Sequence, residues 1–354
     1  MAPRQGARTA MFMKRQLAAL RDCLVLAHGL ARHAWTGKAY EPGHQAMVRL
    51  FCRSGGRSND LLARLYGLLH PPRRLAPAAS VLGIVTPEAA AAAAAAIARD
   101  GYHVFPQRLP EATCAALERF ACVAPCRLRS DAGPPVAVPA YARAAPAGVR
   151  YDLVQAAVLG QPLVQEVLAD GGLLAVAQAY LGCRPILDIV SMWWHTAAGD
   201  GPSEDAAQFF HFDLDRFRWL KFFIYLTDVG PEQGPHEFVR GSQATGGIPA
   251  PLLKQGYVRL QDAAVFALLD ERDRVVFTAP RGTIIAEDTR GLHKGRMVGH
   301  GDRLMLQVQY SAGTFGATTP RMAVTDPIPA LDELWRRRPE LFTLCDRRSR
   351  DAGR

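Results

Sequence analysis

The sequence predicts a mostly β core packed by α-helices, preceded by a helical N-terminal extension. Three observations carry this. From residue 184 onward the chain breaks into short runs rich in β-branched and aromatic residues, separated by Gly, Pro and Asp. Several short strands of this kind point to a sandwich or a closed double sheet. Upstream of them, apolar residues recur at helical spacing. The 354 residues, 49% hydrophobic and 21% charged, supply enough apolar material for one large domain plus an appendage.

Taken in order, residues 11–70 read as short helices, on the periodicity of "MKRQLAALRDCLVLAHGLARHAW" and "SNDLLARLYGLL". His70 to Ser80 reads as a linker, because two adjacent prolines block helix continuation and a third follows. This divides the chain into an extension over 1–80 and a larger domain over 81–354. Thr86-Pro87-Glu88 starts a helix: Thr86 can cap, Pro87 suits the first helical position, and Glu88 complements the helix dipole. The alanine run behind it has high helix propensity. "GYHVFPQRLP" reads as a short strand and turn, "PEATCAALERFA" as a helix, residues 121–148 as loop, and "GGLLAVAQAYLG" as an apolar helix closed by Gly182. The strands "PILDIVSMWWHT", "FFHFD", "RWLKFFIYLTDV", "HEFVRGS", "VVFTAPRGTIIAED", "GLHKG" and "RLMLQVQYS" then form a core over about 184–312.

The net charge of +9 is concentrated at one end, since residues 1–75 carry thirteen Lys and Arg against three acids. Electrostatic binding therefore belongs to the extension, with an anionic surface or a protein as partner. Nucleic acid is not expected, because no reading motif accompanies the charge. The seven cysteines are odd in number and irregularly spaced, as for reduced thiols in the cytoplasm. Cys122 and Cys126 lack the second pair that a zinc site needs. No signal peptide and no transmembrane segment is read. There is no Gly-rich phosphate loop, no G-x-S-x-G elbow and no supported Cys/His nucleophile pair.

His211-Phe212-Asp213 is the first chemical signal. On a strand, residues two apart project to one face, so an imidazole and a carboxylate would lie side by side. His293 in "EDTRGLHKG" is the candidate third ligand. Two histidines and one carboxylate on one side of an ion leave three open positions, the arrangement of non-haem Fe(II) oxygenases. A 2-oxo acid can occupy two of these positions and O₂ the third. Arg303, ten residues beyond His293, can pair with the far carboxylate of 2-oxoglutarate.

In this order, the motifs resemble the phytanoyl-CoA dioxygenase-like family of Fe(II)/2-oxoglutarate oxygenases. The resemblance covers most of residues 81–325, from "DGYHVF" through "KFFIYLTDV" and "GPHEFVRGSQ" to the arginine strand. It implies a double-stranded β-helix (jelly-roll, cupin-like) with helices on its outer side, and makes 81–354 the oxygenase domain. It implies that His211, Asp213 and His293 ligate Fe(II), that Arg303 anchors 2-oxoglutarate, and that Lys221 and Tyr225, on one face of "LKFFIYL", also contact the cosubstrate. The implied activity is hydroxylation of a small molecule with release of succinate and CO₂. Asp213 favours that outcome, because halogenating relatives lack this carboxylate. Two positions depart from the pattern: Gly295 stands where several relatives have a hydroxyl, and Gln243 where His is common.

Two other functions remain open on the residues: a metal- and 2-oxoglutarate-binding sensor on the same fold, and a metal-dependent isomerase or hydrolase. Trp193, Trp194 and His195 lie on an expected strand, of which one alternate set faces the barrel interior; core packing is the expected role of these aromatics, and lining the substrate pocket the alternative. His103, His195, His236 and His300 are read as ordinary polar or core residues rather than ligands, and Asp288 and Thr289 as shapers of the turn before His293. An anionic substrate is expected if two or more of Arg216, Arg218, Arg240 and Arg290 face the pocket mouth.

Overall fold

The computed structural model describes residues 3–74, 77–130, 133–199 and 201–349. Three helices open the chain: α1 (Pro3–Thr36), α2 (Glu41–Ser54) and α3 (Arg57–Leu69). The short helices expected near the N-terminus are thus led by one 34-residue helix. Gly29 does not interrupt it, because that position is where α1 crosses α2: a Cβ there would lie 3.0 Å from the Gly43 Cα.

The expected linker contains β1 (Ala78–Ser80), paired with β2 (Gly83–Val85). Leu75 and Ala76 of that stretch lie outside the described residues. α4 (Pro87–Asp100) begins as the sequence indicates, with the Thr86 hydroxyl accepting from Ala89 N at 3.2 Å. β3 (Tyr102–Arg108) and α5 (Glu111–Val123) follow. The expected loop at 121–148 instead holds β4 (Cys126–Ser130) and β5 (Gly133–Val138), antiparallel to each other. β5 is the outermost strand of its sheet, where Pro134 and Pro135 cost few ladder bonds. Then come β6 (Arg150–Leu153), α6 (Gln155–Leu159), α7 (Pro162–Leu168) and α8 (Gly171–Leu181). Asp170 caps α8 by accepting from Gly172 N and Leu173 N, both at 2.9 Å, and Gly182 ends it in the left-handed region at φ 66°.

The next strands are β7 (Ile186–Thr196), β8 (Trp219–Tyr225), β9 (His236–Val239), β10 (Arg274–Phe277), β11 (Thr283–Glu287), β12 (His293–Gly295) and β13 (Asp302–Ser311). They build two antiparallel sheets. The large one has the order β3-β11-β8-β13-β7-β6-β4-β5 and the small one β10-β9-β12. From β10 to β13 consecutive strands alternate between the small and the large sheet, and the two sheets together form a double-stranded β-helix. The period-two pleat sorts side chains between its two faces. On β8, Leu220, Phe222 and Ile224 join the core beneath α4 to α8, while Phe223 and Tyr225 face the small sheet and meet Phe238 and Phe277. β13 repeats this, with Leu304, Leu306 and Val308 toward the helices and Arg303, Met305 and Gln307 toward the interior.

α2 and α3 pack beside the segment that carries the H-x-D motif. Phe51 stacks on Phe212 with ring centroids 5.8 Å apart. His44 Nε2 lies 2.9 Å from Leu214 O. Asp60 accepts from Arg290 (2.8 Å) and Arg218 (3.2 Å).

Candidate metal centre

His211 and His293 are joined by a single antiparallel bridge. His211 N donates to His293 O at 3.0 Å, and His293 N returns to His211 O at 2.9 Å. "FFHFD" is therefore not a full strand but a segment of isolated bridges, His211 to His293 of β12 and Phe210 to Leu260. Asp213 N donates to Thr289 O at 2.8 Å, which holds the carboxylate beside the two rings. His211 Nε2 lies 3.9 Å from Asp213 Oδ1, and His293 Nε2 lies 3.6 Å from Asp213 Oδ2. One ligand atom from each of the three lies within 4.8 Å of the others, and all three residues are buried. Ligands at about 2.1 Å from one ion stand about 3–4 Å apart, so the spacing suits a single metal. Among the described residues no other cluster of this kind occurs.

The protonation states suit a metal as well. His211 Nδ1 lies 2.9 Å from Phe209 O, and His293 Nδ1 lies 2.9 Å from Gly291 O. A carbonyl only accepts, so each Nδ1 carries the proton and each Nε2 presents a lone pair. Burial, reinforced by the neighbouring His293 ring, holds His211 well below its ordinary value. Burial also takes His293 down to about 3, although Asp213 opposes it. For Asp213, burial alone would favour the neutral acid. The Lys221 ammonium, 2.5 Å from Oδ2, outweighs it and holds the carboxyl well below its usual range. Two neutral imidazoles and one carboxylate are the donor set of a divalent metal.

The site opens on a cavity of about 190 Å³ lined from both sheets. Arg303, buried on β13, reaches this cavity, donates to Gly234 O and holds Nη2 2.6 Å from His195 Nδ1. Its Nε has no partner. A Cβ at Gly295 would stand 3.4 Å from Arg303 Nη2, so position 295 faces the guanidinium without offering it a hydroxyl. Lys221 lines the cavity but is bonded to Asp213. The Tyr225 hydroxyl donates to Phe277 O (3.0 Å) and accepts from His236 N (3.1 Å), so it ties β8 to β9 and β10 and is not part of the cavity wall.

Four further residues line the wall, of which only Arg150 drew no reading from the sequence. Arg150 on β6 lies over the Trp193 ring at 4.7 Å. His195 sits opposite Arg303 in the β7–β13 register. Trp193 joins it on the cavity side, while Trp194, one residue on, faces the helices and donates to Ala121 O at 3.1 Å. His236 Nε2 lies 2.9 and 3.0 Å from the two oxygens of Glu287, a fully buried carboxyl one strand from Lys221. Burial pushes Glu287 well above its ordinary value and His236 down to about 3. Residues two apart on a strand signalled Trp193 and His195. Nothing local links His236 to Glu287.

The four arginines flanking the motifs do not line the cavity. Arg216 pairs with buried Asp188, at 2.7 and 3.0 Å, Arg218 and Arg290 reach Asp60, and Arg240 is exposed. Gln243 is structural, its amide donating to Ile97 O and Ala98 O. Asp288 and Thr289 do shape the turn: Asp288 accepts from Arg290 N at 3.1 Å, and Thr289 Oγ1 from Trp219 Nε1 at 2.8 Å. The seven cysteines are free thiols.

No protein-family profile and no curated protein matches the chain. Among solved structures it is similar to AviO1 from Streptomyces viridochromogenes Tue57, at 18% identity and TM-score 0.40, over 65% of this chain and 97% of that one. It is similar to the non-heme alpha ketoglutarate dependent epimerase SnoN from nogalamycin biosynthesis, at 20% identity and TM-score 0.43, over 64% and 83%. It is also similar to EctD from S. alaskensis with bound Fe, at 20% identity and TM-score 0.43, over 69% and 87%. At such scores none of these likenesses assigns a function.

Proposed function

We propose that the protein is an Fe(II)- and 2-oxoglutarate-dependent dioxygenase that oxidises a small organic molecule, with hydroxylation as the outcome. The observation that carries this reading is the convergence of His211, Asp213 and His293 on one buried point, both Nε2 lone pairs available. SnoN and EctD, similar in fold, are described respectively as alpha ketoglutarate dependent and as holding Fe.

In this reading the three side chains hold Fe(II), which when bound with 2-oxoglutarate and O₂ supplies an oxidant, releasing succinate and CO₂. The protein's own part is binding and orientation. Lys221 keeps Asp213 ionised and fixes its carboxylate plane. Arg303 receives the far carboxylate of 2-oxoglutarate as a charge-assisted pair in a buried setting. Trp193, Phe223 and Met305 restrict water in the cavity.

The test follows O₂-dependent succinate formation from 2-oxoglutarate over a substrate panel, beside binding of 2-oxoglutarate and of 2-oxobutyrate, which lacks the far carboxylate. The protein should release succinate, and Arg303→Ala should weaken 2-oxoglutarate binding at least ten-fold, given the roughly 1.5–3 kcal/mol of a charge-assisted bond, while leaving 2-oxobutyrate little changed. Tight 2-oxoglutarate binding with no succinate across the panel would make the protein a sensor. Metal-dependent turnover that persists in Arg303→Ala without any 2-oxo acid would make it an isomerase or hydrolase.

A further inference from the structure

α1 turns one side to the protein and leaves the other bare. Asp22, Leu26 and Gly29 are buried on the inner side, where Arg49 (2.8 Å) and Arg53 of α2 hold the Asp22 carboxylate. On the outer side Met13, Leu17, Leu20 and Leu24 follow one another at intervals of four, three and four, and are 57%, 64%, 57% and 64% exposed. At 3.6 residues per turn they form one strip along the helix, opposite Asp22, which runs on through exposed Ala27 and Ala31 to Trp35. Exposed Lys14, Arg21, His28 and Arg32 line one edge of the strip. From residue 13 to residue 40 the single acid is Asp22, already paired. α3 extends the apolar surface. Its Leu65 and Leu69 share a groove of about 570 Å³ with Leu30 and Ala34 of α1, and exposed Leu61, Leu68, Arg57 and Arg64 flank it.

We propose that α1 and α3 dock the protein on an anionic lipid surface, with the leucine strip in the headgroup–acyl boundary and the basic ladder on the phosphates. An apolar stripe of Leu, Met and Trp edged by Lys and Arg is the pattern of an interfacial helix. No helix among the described residues is long and apolar enough to cross a membrane, so this helix would lie in the interface rather than span it. A second copy of the chain fits less well. Paired α1 helices would set the ladder against its own like or against Gln16 and Cys23, and bring no acid to it.

The test mixes the full chain with sedimentable vesicles of phosphatidylcholine alone and of phosphatidylcholine with phosphatidylglycerol. The protein should bind the anionic vesicles, ignore the neutral ones, and be released by salt. Each lysine or arginine near such a surface is worth about 1 kcal/mol, or about five-fold. The variant K14Q/R21Q/R32Q should therefore lose on the order of a hundred-fold in partition, and L20Q/L24Q should lose binding as well. The altered side chains are exposed, so an unchanged melting temperature would show that both variants fold. Failure of the folded wild type to bind anionic vesicles would overturn the proposal. So would a concentration-dependent dimer that L20Q/L24Q abolishes, which assigns the strip to a second copy, or binding to polyglutamate without binding to vesicles, which assigns it to an acidic protein.

Discussion

Each ligand histidine has one nitrogen tied to a main-chain carbonyl two residues back, Phe209 O or Gly291 O, and burial keeps the ring uncharged. This has a measurable consequence. A pair of histidines with ordinary values near 6.5 would be mostly protonated at pH 5.5, and proton competition would weaken metal binding by about a hundred-fold relative to pH 7.5. Here His293 titrates at about 3 and His211 well below its ordinary value, so both stay neutral over that window. Titration with Mn(II) or Ni(II) should therefore give affinities at pH 5.5 and 7.5 within about three-fold of each other. A fall near a hundred-fold would mean the rings are not held as described. Folding behaves differently. The unfolded chain takes up these protons first, so the stability contributed by the two rings is present above about pH 6.5 and is lost as pH falls toward 3.

At the scale of elements, the ligand segment is braced from outside the cavity. Arg216, three residues past Asp213, is buried and shared between Asp188 of β7 and the Ala317 carbonyl. Asp188→Ala strands that guanidinium, and breaking a buried pair costs about 3–5 kcal/mol. Urea unfolding should show a loss of that size, and a loss below 1 kcal/mol would show the pair to be dispensable. How legible such elements were depended on their surroundings. β7, β8 and β13 were readable because both faces are buried and the apolar runs are long. The β4–β5 hairpin was not, because β5 is an exposed edge strand whose prolines look like loop. Residues 11–70 read as short helices, whereas α1 alone runs for 34 residues, through Gly29, where it crosses α2 at Gly43. His211, Asp213 and His293 could be named from spacing and motif. The roles of His195, His236 and Glu287 could not, because long-range register aims them: His195 faces Arg303, 108 residues away.

At the scale of the molecule, the sequence set the extension over 1–80 apart, and the contacts join it to the site. Phe51 stacks on Phe212, the residue between two ligands, and Asp60 holds Arg290, three residues before His293. Phe51→Ala should therefore destabilise the whole protein by about 3–5 kcal/mol, the usual range for removing a buried phenyl. An unchanged unfolding midpoint would mean the extension folds apart from the barrel. Both ends of this network meet at the proposed Fe(II) site. Under anaerobic conditions Fe(II) and 2-oxoglutarate are added together and the visible spectrum is recorded for the wild type and for His211→Ala. A weak metal-to-ligand charge-transfer band in the wild type, absent from a folded His211→Ala, is the expected result. No band in the wild type, or an equal band in the variant, would contradict the assignment of His211, Asp213 and His293 to Fe(II).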